Sequence, residues 1–77
     1  MPHVVVKMYP GRSEEVKERM AQAIVRDIVE IAECGAEWVS VGIQEVDPAE
    51  WPETVYRPEI LERADTIYKQ PGYNPFE

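Results

Sequence analysis

Apolar positions along the chain follow distinct rhythms. Val4, Val5, Val6 and Met8 form an apolar, largely β-branched run, interrupted only by Lys7. So little alternation predicts a strand that is covered on both faces. From Val16 onward, Met20, Ile24, Ile28, Ile31 and Ala32 recur at helical spacing, with charged residues mainly on the other faces. Ser13 suits the N-cap of this helix, and Glu14 and Glu15 complement its dipole. Position 16 is valine, so no capping box forms, and Gly35 is a natural stop. Residues 38–46 alternate again: Val39, Val41 and Ile43 share one face, while Ser40, Gly42 and Gln44 share the other.

A strand, a helix of about 20 residues and a second strand predict a βαβ unit with parallel strands and a right-handed crossover. Residues 47–52 carry turn chemistry. Pro58 then suits the first turn of a C-terminal helix, with Ile60, Ala64, Ile67 and Tyr68 on one face. Pro71 and Gly72 close that helix and leave residues 73–77 as a tail.

Length qualifies this picture. A chain of 77 residues reads as one domain, residues 1–77, with a core that is marginal alone. Cys34 is the sole cysteine, so no disulfide can compensate, and no histidine–cysteine cluster predicts a metal site. Oligomerisation is the remaining common remedy, and it would also cover the second face of the first strand. The net charge of −7 argues against nucleic acid or an anionic membrane as partner. No apolar run is long enough to span a bilayer, and no secretory signal is visible. Together with the single cysteine, these features point to a cytoplasmic protein.

The candidate chemistry begins at Pro2. Removal of Met1 would leave a secondary amine at the tip of a strand. Such an amine acts as a general base when apolar burial or nearby positive charge lowers its proton affinity.

Several further residues give this start its context. Pro2 opens a strand, Gly11-Arg12-Ser13-Glu14-Glu15 opens a long helix, and Val39-Ser40-Val41 with Glu45 forms the second strand. This order resembles the 4-oxalocrotonate tautomerase family. His3, Lys7, Pro10, the Pro48-x-x-Trp51 loop and Lys69-Gln70-Pro71-Gly72-Tyr73 look like its bacterial PptA-like subgroup. The resemblance covers essentially the whole chain.

It implies an α+β fold of the tautomerase/MIF type, a βαβ unit plus a C-terminal helix, assembled as an oligomer. A dimer is expected, with a hexamer as the alternative. It also implies keto–enol proton transfer on small carboxylates, phenylpyruvate-like or hydroxymuconate-like, without a cofactor. Pro2 would then be the proton shuttle and Arg12 the carboxylate grip. Ser40 departs from the family pattern, because many members carry a second arginine there. A monocarboxylate substrate or another cation is then implied, and Arg57 is the nearest candidate in sequence. Trp51 matches an aromatic that lines the pocket and lowers its polarity. His3 and Cys34 read as structural. Dehalogenation or decarboxylation through Pro2, and a non-catalytic binding module, remain open as alternatives.

Overall fold

A computed structural model describes residues 1–77, which divide into two compact units, Met1–Glu45 and Val46–Glu77. The first unit is the expected βαβ motif. Strand β1 spans His3–Met8, helix α1 spans Glu14–Ala32, and strand β2 spans Ser40–Glu45. The strands pair in parallel, from His3 opposite Ser40 to Met8 opposite Glu45. A parallel pair needs a long connection, and α1 provides it.

Local chemistry explains how α1 begins and ends. Gly11 has φ of 129°, a backbone conformation that only glycine adopts without steric cost. Two residues on, the Ser13 hydroxyl accepts a hydrogen bond from the Val16 N–H at 3.2 Å. It thereby satisfies one of the donors that every helix leaves unpaired at its start. At the other end, Glu33 takes the left-handed conformation, with φ of 54°. The helix therefore ends at Ala32, three residues before Gly35, which instead precedes a short 3-10 turn at Ala36–Trp38. This turn removes Trp38 and Val39 from the expected second strand.

Within the first unit the sheet has two unlike faces. Glu45 reaches Lys17 of α1, so the face of Val41, Ile43 and Glu45 is the one turned to the helix. Val16, Met20, Ile24 and Ile28 are half-buried, as their spacing predicts, but Ile31 is 79% exposed. The register places His3, Val5 and Lys7 beside Ser40, Gly42 and Gln44 on the opposite face. Val5 is 42% exposed there, so this chain alone does not cover both faces of β1.

The second unit corrects the expected helix boundaries. Its helix spans Pro52–Leu61, with Pro58 inside and wide π-type winding. Pro52, not Pro58, occupies the first turn, where a missing N–H costs nothing. Farther in, a proline lacks the N–H for an ordinary helical bond and crowds the preceding carbonyl. Wider winding accommodates it, and the Glu62 N–H bonds the Arg57 carbonyl five residues back at 3.0 Å. Only a short 3-10 turn, Ala64–Thr66, follows. Tyr68, expected on a shared apolar face, is fully exposed.

Val55 and Tyr56 are the buried side chains of the whole chain. In the second unit the Tyr56 ring packs against Tyr73 and Phe76, with centroids 5.4 and 5.9 Å away. Its hydroxyl donates to the Tyr73 carbonyl at 3.1 Å. Tail residues 73–77 are thus tied to the Pro52–Leu61 helix. No helix of the chain is long and apolar enough to cross a membrane.

Candidate active site

The first unit gathers Pro2, His3 and Ser40 at one end of the sheet. Pro2 is half-buried and immediately precedes β1. Its carbonyl accepts a hydrogen bond from the Ser40 N–H at 3.1 Å, which extends the parallel ladder to the start of the chain. Ser40 also meets His3 through its side chain, with Nδ1 and Oγ 2.6 Å apart. One serine therefore holds the main chain at Pro2 and the side chain of the next residue.

Met1 is 94% exposed. While it is attached, the Pro2 nitrogen is a tertiary amide and has no basicity. The bond that must be cleaved to free the amine therefore lies next to a fully accessible residue.

Arg12 belongs to the same unit. It stands between Gly11, with its positive φ, and the capping Ser13, and it is exposed. No salt bridge engages its guanidinium. Lys17 is differently placed: it bridges Glu14 at 2.9 Å and Glu45 at 3.5 Å. These partners raise its pKa, the hydrogen bond that Lys17 donates to Glu14 most strongly. Lys17 therefore serves to tie α1 to β2, while Arg12 keeps its donors available.

Trp51 and Arg57 belong to the second unit. The Trp51 indole N–H donates to the Tyr73 hydroxyl at 2.9 Å, so the tail grips this aromatic as well as Tyr56. Arg57 donates to both oxygens of Glu53, at 3.0 and 3.3 Å, and its guanidinium lies 4.5 Å from the centre of the Phe76 ring. The same hydrogen bonds raise the Arg57 pKa and lower that of Glu53. A planar cation held in this way has its charge met within its own unit.

Among the sequence candidates, then, Pro2 and Ser40 meet directly, and Arg12 lies two residues before the helix of the same unit. Two partnerships escaped the sequence: His3 with Ser40, and Tyr73 with Trp51. Strand register is the signal for the first pair, since counting inward from Pro2 sets His3 opposite Ser40 once the end of β2 is known. The second pair carries no local signal. No cluster of three or more His, Cys, Asp or Glu side chains could hold a metal ion.

An apolar groove of about 630 Å³ runs between α1 and β2, lined by Ala21, Val25, Val29, Ala36 and Val41 among others. Pro2, Arg12 and Ser40 do not line it.

A parallel βαβ unit with a proline before its first strand defines a fold class shared with known enzymes. No protein-family model matches the chain. It is 32% identical over 73 residues to a probable tautomerase of Xylella fastidiosa, covering 95% of this chain and 89% of that protein. It is 35% identical over 75 residues to tautomerase PptA of Pectobacterium atrosepticum, covering 96% and 99% of the two chains.

Among solved structures, the YwhB homologue of 4-oxalocrotonate tautomerase aligns with a TM-score of 0.58 at 30% identity, over 60% of this chain and 75% of that one. N2, a member of the 4-oxalocrotonate tautomerase family, aligns with a TM-score of 0.63 at 30% identity, over 69% and 83%. The chain belongs to the 4-oxalocrotonate tautomerase family and is similar over nearly its whole length to the PptA tautomerases. It is an isomerase of the tautomerase type.

Proposed function

We propose that the chain interconverts keto and enol forms of small 2-oxo and 2-hydroxy-enoic acids, phenylpyruvate-like or hydroxymuconate-like, with Pro2 as proton shuttle. The observation that carries this reading is the anchored start of β1. The Pro2 carbonyl is fixed by the Ser40 N–H, so the adjacent nitrogen has a defined place once Met1 is removed. A 1,3-shift takes a proton from one substrate atom and returns one to another. A single positioned amine can perform both transfers.

Arg12 is the cation for the substrate carboxylate, because its fork of donors is not committed within the chain. Arg57 would have to leave Glu53 to play that part. The working form is a cytoplasmic homodimer. The exposed Val5, Trp38 and Ile31 and the groove along α1 give it apolar surface to bury.

The test compares the trimmed protein, the same protein retaining Met1, and Pro2→Ala, with phenylenolpyruvate as substrate. Both altered forms should remain folded and lose about 10²- to 10⁴-fold in kcat, the usual contribution of a positioned general base. Unchanged ketonisation by Pro2→Ala would exclude Pro2 as the base. Light scattering on the trimmed protein should give the mass of two chains, and a hexameric mass would overturn the dimer.

A further inference from the structure

The hydrogen bond between His3 and Ser40 fixes one ring nitrogen and leaves the other uncommitted. Nδ1 is 2.6 Å from the Ser40 Oγ, and no hydrogen bond within the chain involves Nε2. The side chain is exposed, on the sheet face away from α1. A ring held at Nδ1 by a serine, itself on a strand, cannot rotate freely, so Nε2 has a set direction. When the Ser40 hydroxyl donates to Nδ1, the ring proton resides on Nε2 and makes it a donor. Protonation of the ring keeps Nε2 a donor, with Nδ1–H then donating to Ser40.

This donor is covalently next to Pro2. Adjacent Cα atoms lie about 3.8 Å apart, so the two residues share one end of the sheet. Ser40 moreover holds both ends of the arrangement, the Pro2 carbonyl by its N–H and the imidazole by its hydroxyl.

We propose that His3 binds the 2-oxygen of the substrate through Nε2–H, with Ser40 as the positioning residue that aims it. As Pro2 takes the enol proton, negative charge develops on that oxygen, and the Nε2–H hydrogen bond strengthens against it. Pro2 then returns the proton to the carbon, and the imidazole keeps its own throughout. A fixed donor of this kind selects substrates that carry an oxygen at carbon 2. This assignment rests on the reading of Pro2 as the shuttle.

The experiment uses trimmed protein and three substitutions that separate the two ring nitrogens. His3→Gln restores a donor near the Nε2 position, His3→Asn restores a partner for Ser40 near Nδ1, and His3→Leu restores neither. The expected result is a tenfold or greater fall in kcat for Leu and Asn, with Gln recovering most of it, in line with losses of ~10²-fold or more for removal of an oxyanion donor. Recovery by Asn equal to that by Gln would overturn the proposal, because His3 would then be only a clip for the strands. Full activity of His3→Leu would overturn it as well.

A direct reading on the unaltered protein is available because His3 is the only histidine. Phenylpyruvate should shift its Nε2 resonance, whereas phenylpropionate, which lacks the 2-oxygen, should not. Equal responses to the two acids would refute the contact. Pro2→Ala run alongside separates the outcomes: if it is inactive while His3→Leu is fully active, the shuttle stands and the role of His3 falls.

Discussion

The two units of the chain are stabilised in different ways. Met1–Glu45 relies on backbone pairing between β1 and β2, a capped helix and the Lys17 bridge, and it contains no fully buried side chain. Val46–Glu77 contains both buried side chains and a knot of aromatic rings around Tyr56, Tyr73 and Phe76. The contrast extends to charge. The first unit leaves Arg12 and the outer nitrogen of His3 uncommitted, while the second joins Arg57 to Glu53 and Phe76. Side-chain groups left uncommitted within the chain thus occur in the unit whose regularity comes from main-chain hydrogen bonds. Side chains already spent on one another hold the second unit together.

Removing the centre of the aromatic knot should have the largest effect on stability. Tyr56→Ala deletes a ring that is 5% exposed, together with its hydrogen bond to the Tyr73 carbonyl. A loss of about 3 kcal/mol or more is expected in urea unfolding. A loss under about 1 kcal/mol would show that the knot does not hold the second unit.

Ser13→Ala tests the corresponding device of the first unit. It removes the cap on Val16, and about 1 kcal/mol should be lost. Exchange of the amide protons in the first turn of α1 should accelerate, while those of Pro52–Leu61 keep their rates. Equal acceleration in both helices would erase the distinction between the units.

The smallest effect concerns acid. Its hydrogen bonds with Arg57 hold the Glu53 pKa below the ordinary value of 4.5, so the carboxylate is favoured in the folded state. The stabilisation is therefore present above that value and lost as pH falls through the lower, folded one. Comparing Glu53→Gln with the parent protein should show a small deficit at neutral pH that closes as pH drops below 4.5. A deficit that persists in acid would mean that Glu53 acts by packing and not by charge.

The first unit was largely legible in the sequence because its signals are local or periodic. The valine run, the apolar spacing from Val16 to Ile28 and Ser13 before two glutamates each report one element, and parallel pairing follows from the long crossover. Its margins were less legible. Glu33 ends α1 in a conformation that glycine usually adopts, so Gly35 was the natural but incorrect stop. The second unit was harder to read because Pro58 normally marks a helix start, and only π-type winding lets the helix continue past it. Pro52 was the better signal, although Pro48 and Pro58 competed with it. Pro2, Arg12 and Ser40 could be named as candidates from their order in the chain. The grip of Tyr73 on Trp51 joins residues 22 positions apart, and no pattern along the chain encodes it.

The His3–Ser40 register carries one last consequence, for quality control of the purified enzyme. A slip of one residue between β1 and β2 would set Val39 or Val41 opposite His3, and the imidazole would lose its hydroxyl partner. Such a slip would also turn Val41 and Ile43, or Val4 and Val6, away from α1, so lost packing opposes it as well as the lost imidazole contact. Because the chain has one histidine, the environment of that imidazole reports strand alignment in each batch.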